Sequence, residues 1–112
     1  MIAAMILSAM IATTHVQEKP KTQKEWKPIG EQRITCYCPQ CNDGQGYESS
    51  SGKRLRYGHA ACSWLSTGTK ISVEGEIFTV VDICGTDAID IFIDTDSCEC
   101  NINEYRRVSV LQ

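Results

Sequence analysis

The chain from Gly30 onward consists of short segments in which apolar and polar residues alternate, separated by turns that contain glycine. Alternation with a period of two is typical of strands that bury one face, and no helical periodicity here extends beyond about two turns. The sequence therefore predicts an all-β fold. Closure into a small barrel is favoured, because an open sheet of this size leaves pairing edges exposed. The six predicted strands are residues 33–38, 59–63, 70–74, 77–82, 88–93 and 107–111.

Length and charge exclude several other classes of protein. A chain of 112 residues is long enough for one small domain and too short for a dinucleotide-binding α/β fold. The net charge of −3 and the lack of a basic stripe argue against a nucleic-acid partner. Residues 1–57 carry eight Lys or Arg against five Asp or Glu, whereas residues 58–112 carry three against nine. Carboxylate chemistry is therefore expected in the C-terminal half.

The N-terminal part differs in composition from the rest. Residues 1–14 form an uncharged apolar run, shorter than the roughly 18 residues that a membrane-spanning helix needs. The run has the length of the apolar region of a signal peptide. We therefore expect a signal peptide or N-terminal anchor, with membrane contact only where the run stays uncleaved. A buried N-terminal helix is the alternative, because no Lys or Arg precedes the run. Residues 15–29 are predicted to be a basic solvated spacer, and residues 30–112 the folded domain.

Two aspartates occur in or beside apolar segments. Asp82 closes one predicted strand, and Asp90 lies inside the next, between Ile89 and Ile91. A carboxylate among β-branched residues costs free energy unless it is paired or functional. Alternation places Asp90 on the face opposite to its two isoleucine neighbours. An outward-facing polar position on a half-buried strand is the alternative to a functional role.

These aspartates belong to a series of seven short motifs. Taken in order, the motifs resemble the bacterial 3D domain, a family named for three aspartates, and the resemblance covers about residues 32–111. It implies a six-stranded double-psi β-barrel, like the C-terminal barrel of the membrane-bound lytic transglycosylase A, which agrees with the strand count obtained from alternation. The motifs are ITCYCP at residues 34–39, SSG at 50–52, AA at 60–61, TGTKI at 67–71, VVD at 80–82, IDIF at 89–92 and VSV at 108–110.

The resemblance also implies a function. Members of the family look like secreted or cell-wall enzymes that cleave peptidoglycan between N-acetylmuramic acid and N-acetylglucosamine, leaving a 1,6-anhydro sugar. It makes Asp90 the catalytic aspartate and Asp82 the second one, with glycan strands as the partner. The lytic reaction requires no metal, and we expect no cofactor and a monomeric protein. The family's first aspartate falls at Ala61 and is therefore missing here. The connection at residues 83–89 is shorter than the family's glycine-rich loop, and it contains Cys84.

This reaction requires one carboxyl group that first donates and then accepts a proton. Such a group must be protonated near neutral pH, although the ordinary pKa of an aspartate is about 3.9. We expect burial against Phe92 and repulsion by Asp82, Asp87 and Asp94 to raise the pKa of Asp90. An ionised Asp82 is expected to stabilise positive charge on the sugar or to orient a hydroxyl group.

A substrate groove is predicted around these carboxylates. Ser51 and Gly52 match a loop that lies by the groove in the family. Aromatic side chains stack on sugar rings, and a core position is the alternative for Trp64. The residues expected to contact substrate are Ser51, Gly52, Tyr57, His59, Trp64 and Asp94, with Tyr37 also expected to line the groove.

Cysteines are dense in the predicted domain. Disulfides are the expectation for an exported chain, and an odd number leaves one thiol free or bonded to another molecule. A zinc site built from the Cys36–Cys38–Cys41 and Cys98–Cys100 groups is an alternative, although the short spacings differ from the usual zinc pattern. Mostly free thiols are a second alternative. The disulfide candidates are Cys36, Cys38, Cys41, Cys62, Cys84, Cys98 and Cys100.

Two other functions stay open from the sequence. The first is a non-catalytic module that binds cell-wall glycan, in the manner of expansin-like barrels, and the missing aspartate at position 61 favours it. The second is a disulfide-stapled secreted interaction domain without a glycan function.

Overall fold

The computed structural model describes residues 23–95 and 100–112, and this part of the chain is a closed six-stranded β-barrel. Each predicted segment contains a strand, so the prediction of an all-β barrel is confirmed. A single short 3-10 turn, Pro39–Cys41, follows the first strand. The strands are β1 (Trp26–Tyr37), β2 (His59–Ala61), β3 (Lys70–Val73), β4 (Glu76–Asp82), β5 (Ile89–Phe92) and β6 (Asn103–Leu111).

The strands close in the order β1-β5-β2-β4-β3-β6. Two pairs, β1 with β5 and β2 with β4, are parallel. The other four pairs are antiparallel. This mixed topology is compatible with the double-psi barrel implied by the resemblance. Closure pairs every strand on both sides, which removes the free edges that an open sheet would expose.

The first strand starts earlier than the sequence suggested. Trp26, Lys27 and Pro28 pair with the end of β6, so the barrel begins four residues before Gly30. The pairing shifts between Pro28 and Gly30, where Gly30 adopts a positive φ of 83°. The predicted spacer therefore ends inside β1. The predicted signal peptide and residues 15–22 of the spacer lie outside the described residues.

The barrel interior forms the main core, an apolar cluster to which all six strands contribute. It includes the fully buried ring of Phe78 on β4 and the side chain of Ile34 on β1. Alternation explains its composition, because every second residue of a strand faces inward. The buried members are Ile34, Ala60, Cys62, Ile71, Val73, Phe78, Val80, Ile89, Ile91, Val108 and Val110.

A second, smaller cluster lies outside the barrel, and we call it the small core. It consists of Tyr37, Leu55, Ala61, Val81 and Phe92, with Tyr47 and Cys84 packed against it. Leu55 belongs to the long connection between the 3-10 turn and β2, so this core holds that connection against the barrel. No helix among the described residues is long and apolar enough to cross a membrane.

Candidate active site

The two aspartates singled out by the sequence meet across the shortest strand of the barrel. Ala61 of β2 pairs with Asp82 of β4 on one side and with Asp90 of β5 on the other. Neighbouring strands lie about 4.8 Å apart, which places the two aspartate backbones about 10 Å from each other. Ala61 therefore lies between the two aspartates.

Both carboxylates line one small cavity, which we call the aspartate pocket. Its volume is about 130 Å³. The strands β1, β2, β4 and β5 contribute to its wall, together with the 3-10 turn and the connection after β4. The lining residues are Tyr37, Cys41, Asn42, Asp43, Ala61, Asp82, Ile83, Cys84, Gly85 and Asp90.

Asp82 is buried and held by three hydrogen-bond donors. The Tyr37 hydroxyl donates to Oδ2 at 3.0 Å. The backbone N–H groups of Ser50 and Ile83 donate to Oδ1 at 2.8 and 2.9 Å. Only 6% of the residue is exposed, so these bonds compensate for the lost contact with water. The carboxylate is thus fixed in one orientation.

Asp90 is half-buried and has a single side-chain partner among the described residues. The Thr35 hydroxyl, opposite to it on β1, donates to Oδ1 at 2.9 Å. Burial raises the pKa of Asp90 and is the largest effect, while the Thr35 bond lowers the pKa and the charge of Asp82 raises it. The net pKa shift is upward, as the sequence predicted. Asp90 therefore holds a proton more readily than an ordinary aspartate does.

Tyr37 links the pocket to the small core. Its ring packs edge-on against Phe92 with the ring centroids 5.4 Å apart, while its hydroxyl reaches Asp82. Burial, followed by the charge and hydrogen bond of Asp82, raises the pKa of Tyr37 far above the usual tyrosine range. Tyr37 is therefore a neutral hydrogen-bond donor at neutral pH.

The connection before β2 continues the surface beyond the aspartate pocket. A neighbouring cavity of about 380 Å³, which we call the loop cavity, shares Asn42, Asp43, Asp82 and Ile83 with it. The Ser51 hydroxyl donates to the Val81 carbonyl at 2.6 Å and so fastens the loop to β4.

The turn at Ser51 also determines the positions of Gly52 and of the Ser50 backbone. Gly52, with a φ of 83°, closes the turn by donating to the Ser49 carbonyl at 3.1 Å. A positive φ is strained for residues with a side chain, so glycine is favoured at this position. The predicted pair Ser51 and Gly52 thus shapes the loop that brings the Ser50 N–H to Asp82.

Four other residues expected to contact substrate lie outside the lining of the aspartate pocket. Tyr57 is exposed, and it contacts Phe78 and hydrogen-bonds to Glu76. His59 is buried at the start of β2 and faces a different cavity.

The remaining two are engaged with neighbouring parts of the chain. Trp64 Nε1 donates to the Asp87 carbonyl at 2.8 Å, and Asp94 accepts from the Tyr47 hydroxyl at 2.7 Å. Asp82 is the carboxylate whose charge raises the pKa of Asp90, and the expected contributions of Asp87 and Asp94 are not found. Both of these side chains are exposed, so water screens their charges.

Cysteines occur on two sides of the aspartate pocket. Cys41 is disulfide-bonded, whereas Cys36, Cys62, Cys84 and Cys100 are free thiols in this structure. Cys98 lies outside the described residues. No group of three or more possible metal ligands is assembled within residues 23–95 and 100–112. Pairing of the remaining candidates stays a prediction.

Two of these thiols are adjacent. Cys36 lies close enough to Cys100 to affect its pKa, and the Ile102 N–H donates to Cys36 Sγ at 3.3 Å. Burial, followed by the interaction with Cys36, raises the pKa of Cys100 to about 12. Near the pocket, the Cys84 thiol donates to the Ala88 carbonyl at 3.2 Å.

Sequence reasoning missed Thr35, the Ser50 backbone and Asn42. Alternation in β1 indicates that Thr35 faces away from the side on which its neighbours Ile34 and Cys36 lie. Only the parallel register with β5 shows that Thr35 lies next to Asp90. No local signal identifies a backbone N–H as a carboxylate donor. Comparison with protein-family models, with curated proteins and with solved structures gives no match for the chain.

Proposed function

We propose that this domain cleaves peptidoglycan glycan strands by a lytic mechanism, with Asp90 as the general acid and base. The observation that carries the proposal is the half-buried Asp90 carboxyl group, with a raised pKa, beside the buried Asp82 in one cavity. A carboxyl group that is protonated more readily than usual suits proton donation to a glycosidic oxygen. The resemblance of the seven motifs supplies the substrate class.

The reaction proceeds in two proton transfers. Asp90 gives its proton to the oxygen that joins the two sugars, and the bond from the muramic acid C1 to that oxygen breaks. The sugar left with positive charge at C1 is then attacked by its own 6-hydroxyl, whose proton passes to the Asp90 carboxylate. One glycosidic bond is exchanged for the internal 1,6-anhydro bond, and Asp90 ends protonated as it began. No water is consumed, unlike in ordinary glycoside hydrolysis.

Asp82 has a different role in this proposal. Its carboxylate, fixed by Tyr37, Ser50 and Ile83, stabilises the positive charge that develops on the sugar ring. Because these donors hold it in place before substrate arrives, no reorganisation is needed during the reaction. Thr35 positions Asp90 and moderates the rise of its pKa.

The direct test is purified protein with peptidoglycan, followed by mass spectrometry of the soluble products. The wild-type protein is expected to release 1,6-anhydro muropeptides, and Asp90→Asn is expected to release none. Asp87→Asn makes the same substitution at an exposed position three residues away and is expected to behave as wild type. Equal product release by Asp90→Asn, or products without the anhydro sugar, would contradict the proposal.

A wall-binding module without cleavage is the second candidate, and the small side chain of Ala61 favours it. A third carboxylate between Asp82 and Asp90, as in the resembled family, is absent. Co-sedimentation with insoluble peptidoglycan separates the candidates. A binding module sediments with the wall and releases no product, whereas a protein that does neither fits the secreted interaction domain.

A further inference from the structure

A second cavity, which we call the basic pocket, lies at the far end of the connection before β2. It is lined by Lys53, Arg54, Leu55, Arg56 and His59 and has a volume of about 380 Å³. Three of its five residues are cationic, and Leu55 gives it an apolar floor that belongs to the small core. This composition is that of a site for an anion rather than for a neutral sugar.

In the part of the chain that the structure describes, the cations of the basic pocket form no ion pair with a carboxylate. Among the described residues, ion pairs join Lys27 to Glu25 and Arg106 to Glu104. Neither pair involves Lys53, Arg54 or Arg56. The Arg54 guanidinium lies over the Tyr47 ring, 4.3 Å from its centroid, and this contact orients the group.

His59 adds a donor with a defined direction. Its Nδ1 accepts a hydrogen bond from the Arg56 backbone N–H at 3.2 Å, so in the neutral ring the proton is on Nε2. Burial, together with the charges of Arg56 and Lys53, lowers the pKa of His59 and keeps the ring neutral. Since Nδ1 is occupied, the ring has only the Nε2–H group to offer a ligand.

The basic pocket and the aspartate pocket belong to a series of four cavities in which neighbours share lining residues. The loop cavity shares Gln45 and Glu48 with a further cavity, and that cavity shares Lys53 and Arg54 with the basic pocket. All of them follow the connection that precedes β2. Carboxylates line the cavity at one end of this series, and cations line the cavity at the other end.

We propose that the basic pocket binds a carboxylate of the peptides attached to the same glycan strand whose sugar occupies the aspartate pocket. The inference rests on the proposed function, because it takes its polymer from there. It assigns the enzyme a preference for peptide-bearing strands over bare glycan. Guanidinium and ammonium groups around one cavity match a carboxylate carried on a flexible peptide.

The test measures dissociation constants by calorimetry for the full-length Asp90→Asn protein, which keeps the ligand intact under the proposed mechanism. One ligand is a soluble peptide-bearing glycan tetrasaccharide, and the other is the same compound with its carboxylates converted to amides. Adding Lys53→Gln and Arg56→Gln is expected to weaken binding of the first ligand about tenfold or more. The amidated ligand is expected to bind weakly to both proteins.

A matched control removes two charges elsewhere. Lys24→Gln with Lys27→Gln changes the net charge equally at exposed positions near the start of β1, and it is expected to leave both affinities unchanged. Circular dichroism verifies that each variant is folded. Equal affinity for the two ligands, no effect of the Lys53 and Arg56 changes, or no binding of the first ligand would overturn the proposal.

Two further outcomes separate this inference from the proposed function. If the wild-type protein releases anhydro products but the Lys53 and Arg56 substitutions do not change the affinity, the basic-pocket proposal is contradicted and the proposed reaction is not. Carboxylate-dependent binding without any anhydro product supports the pocket and removes the reaction. Tighter binding of a glycerol-phosphate polymer than of the peptide-bearing glycan would assign the cavity to phosphodiesters and overturn the carboxylate.

Discussion

The main core and the small core of this protein are built by different rules. The main core is drawn from all six strands, its buried members carry no charged group, and it fills the barrel. The small core takes one residue from the loop, and it supports a hydroxyl and a buried carboxylate at its edge. Both cores are therefore expected to contribute to stability, but only changes in the small core are expected to alter the buried carboxylates as well.

The largest effect is expected from removing a ring from either core. Phe78→Ala in the main core and Phe92→Ala in the small core each delete a fully buried ring and should cost about 3–5 kcal/mol of unfolding free energy. Phe92 also packs against Tyr37, so of these two variants only Phe92→Ala is expected to alter the titration of Asp90. Urea denaturation and carboxyl NMR measure the two effects. Identical titration curves of Asp90 in the two variants would contradict this difference between the main core and the small core.

Removing the hydroxyl of Tyr37 should have a smaller effect. Tyr37→Phe keeps the ring in the small core and deletes a donor to the buried Asp82, which should cost about 1.5–3 kcal/mol because the lost bond involves a carboxylate. Tyr105→Phe deletes an exposed hydroxyl and should change the stability by less than about 0.5 kcal/mol. Equal losses in urea denaturation would show that the Asp82 contact contributes nothing.

A dependence of stability on pH should distinguish Asp90 from the other carboxylates. Its pKa is raised in the folded protein, so its contribution to stability is complete below the unfolded pKa of about 3.9 and is lost as pH rises through the folded pKa. Asp90→Asn should therefore gain stability relative to wild type between pH 4 and pH 7. Urea denaturation at several pH values measures this, and a difference that is flat or reversed contradicts it.

A substitution at Thr35 tests the pKa of Asp90 by removing its hydrogen-bond donor. Thr35→Val removes the bond that lowers the pKa of Asp90, so the NMR titration of that carboxyl group should move to higher pH. Thr67→Val, at an exposed position, should leave it unchanged.

The smallest effect is expected in the thiols. At pH 8 a thiol with a pKa of about 12 is ionised to roughly one part in ten thousand, so Cys100 should be alkylated very slowly. Burial also raises the pKa of Cys62. Cys84 is half-buried at the aspartate pocket and should react with iodoacetamide before both of them. Peptide mass mapping measures the order, and faster labelling of Cys62 or Cys100 would contradict it.

The strands could be predicted from the sequence because alternation is a local property. Residues such as Ile71 and Val73 reveal their inward face without knowledge of any neighbour. The start of β1 at Trp26 could not be predicted, because it is set by pairing with β6, more than 80 residues away in sequence.

Some residues of the candidate site could likewise be predicted from the sequence, and others could not. Asp82 and Asp90 stand out because each carboxylate interrupts or ends an apolar strand. Thr35 and the Ser50 N–H depend on the register of β1 against β5 and on the fold of the loop. Tyr57 and Trp64 look like sugar-binding residues by type, but strand order directs them to other parts of the surface.

Closure of the barrel by the first and last strands also governs how the protein folds. Trp26 pairs with Leu111, and Thr35 pairs with both Asn103 and Asp90, so the contacts of β1 span most of the chain. Contacts between such distant segments form slowly, because the loop entropy is lost before the pairing energy is gained. Asp90 and Asp82 acquire Thr35 and Tyr37 as partners only when β1 has paired with β5, so a chain without this pairing lacks the complete site.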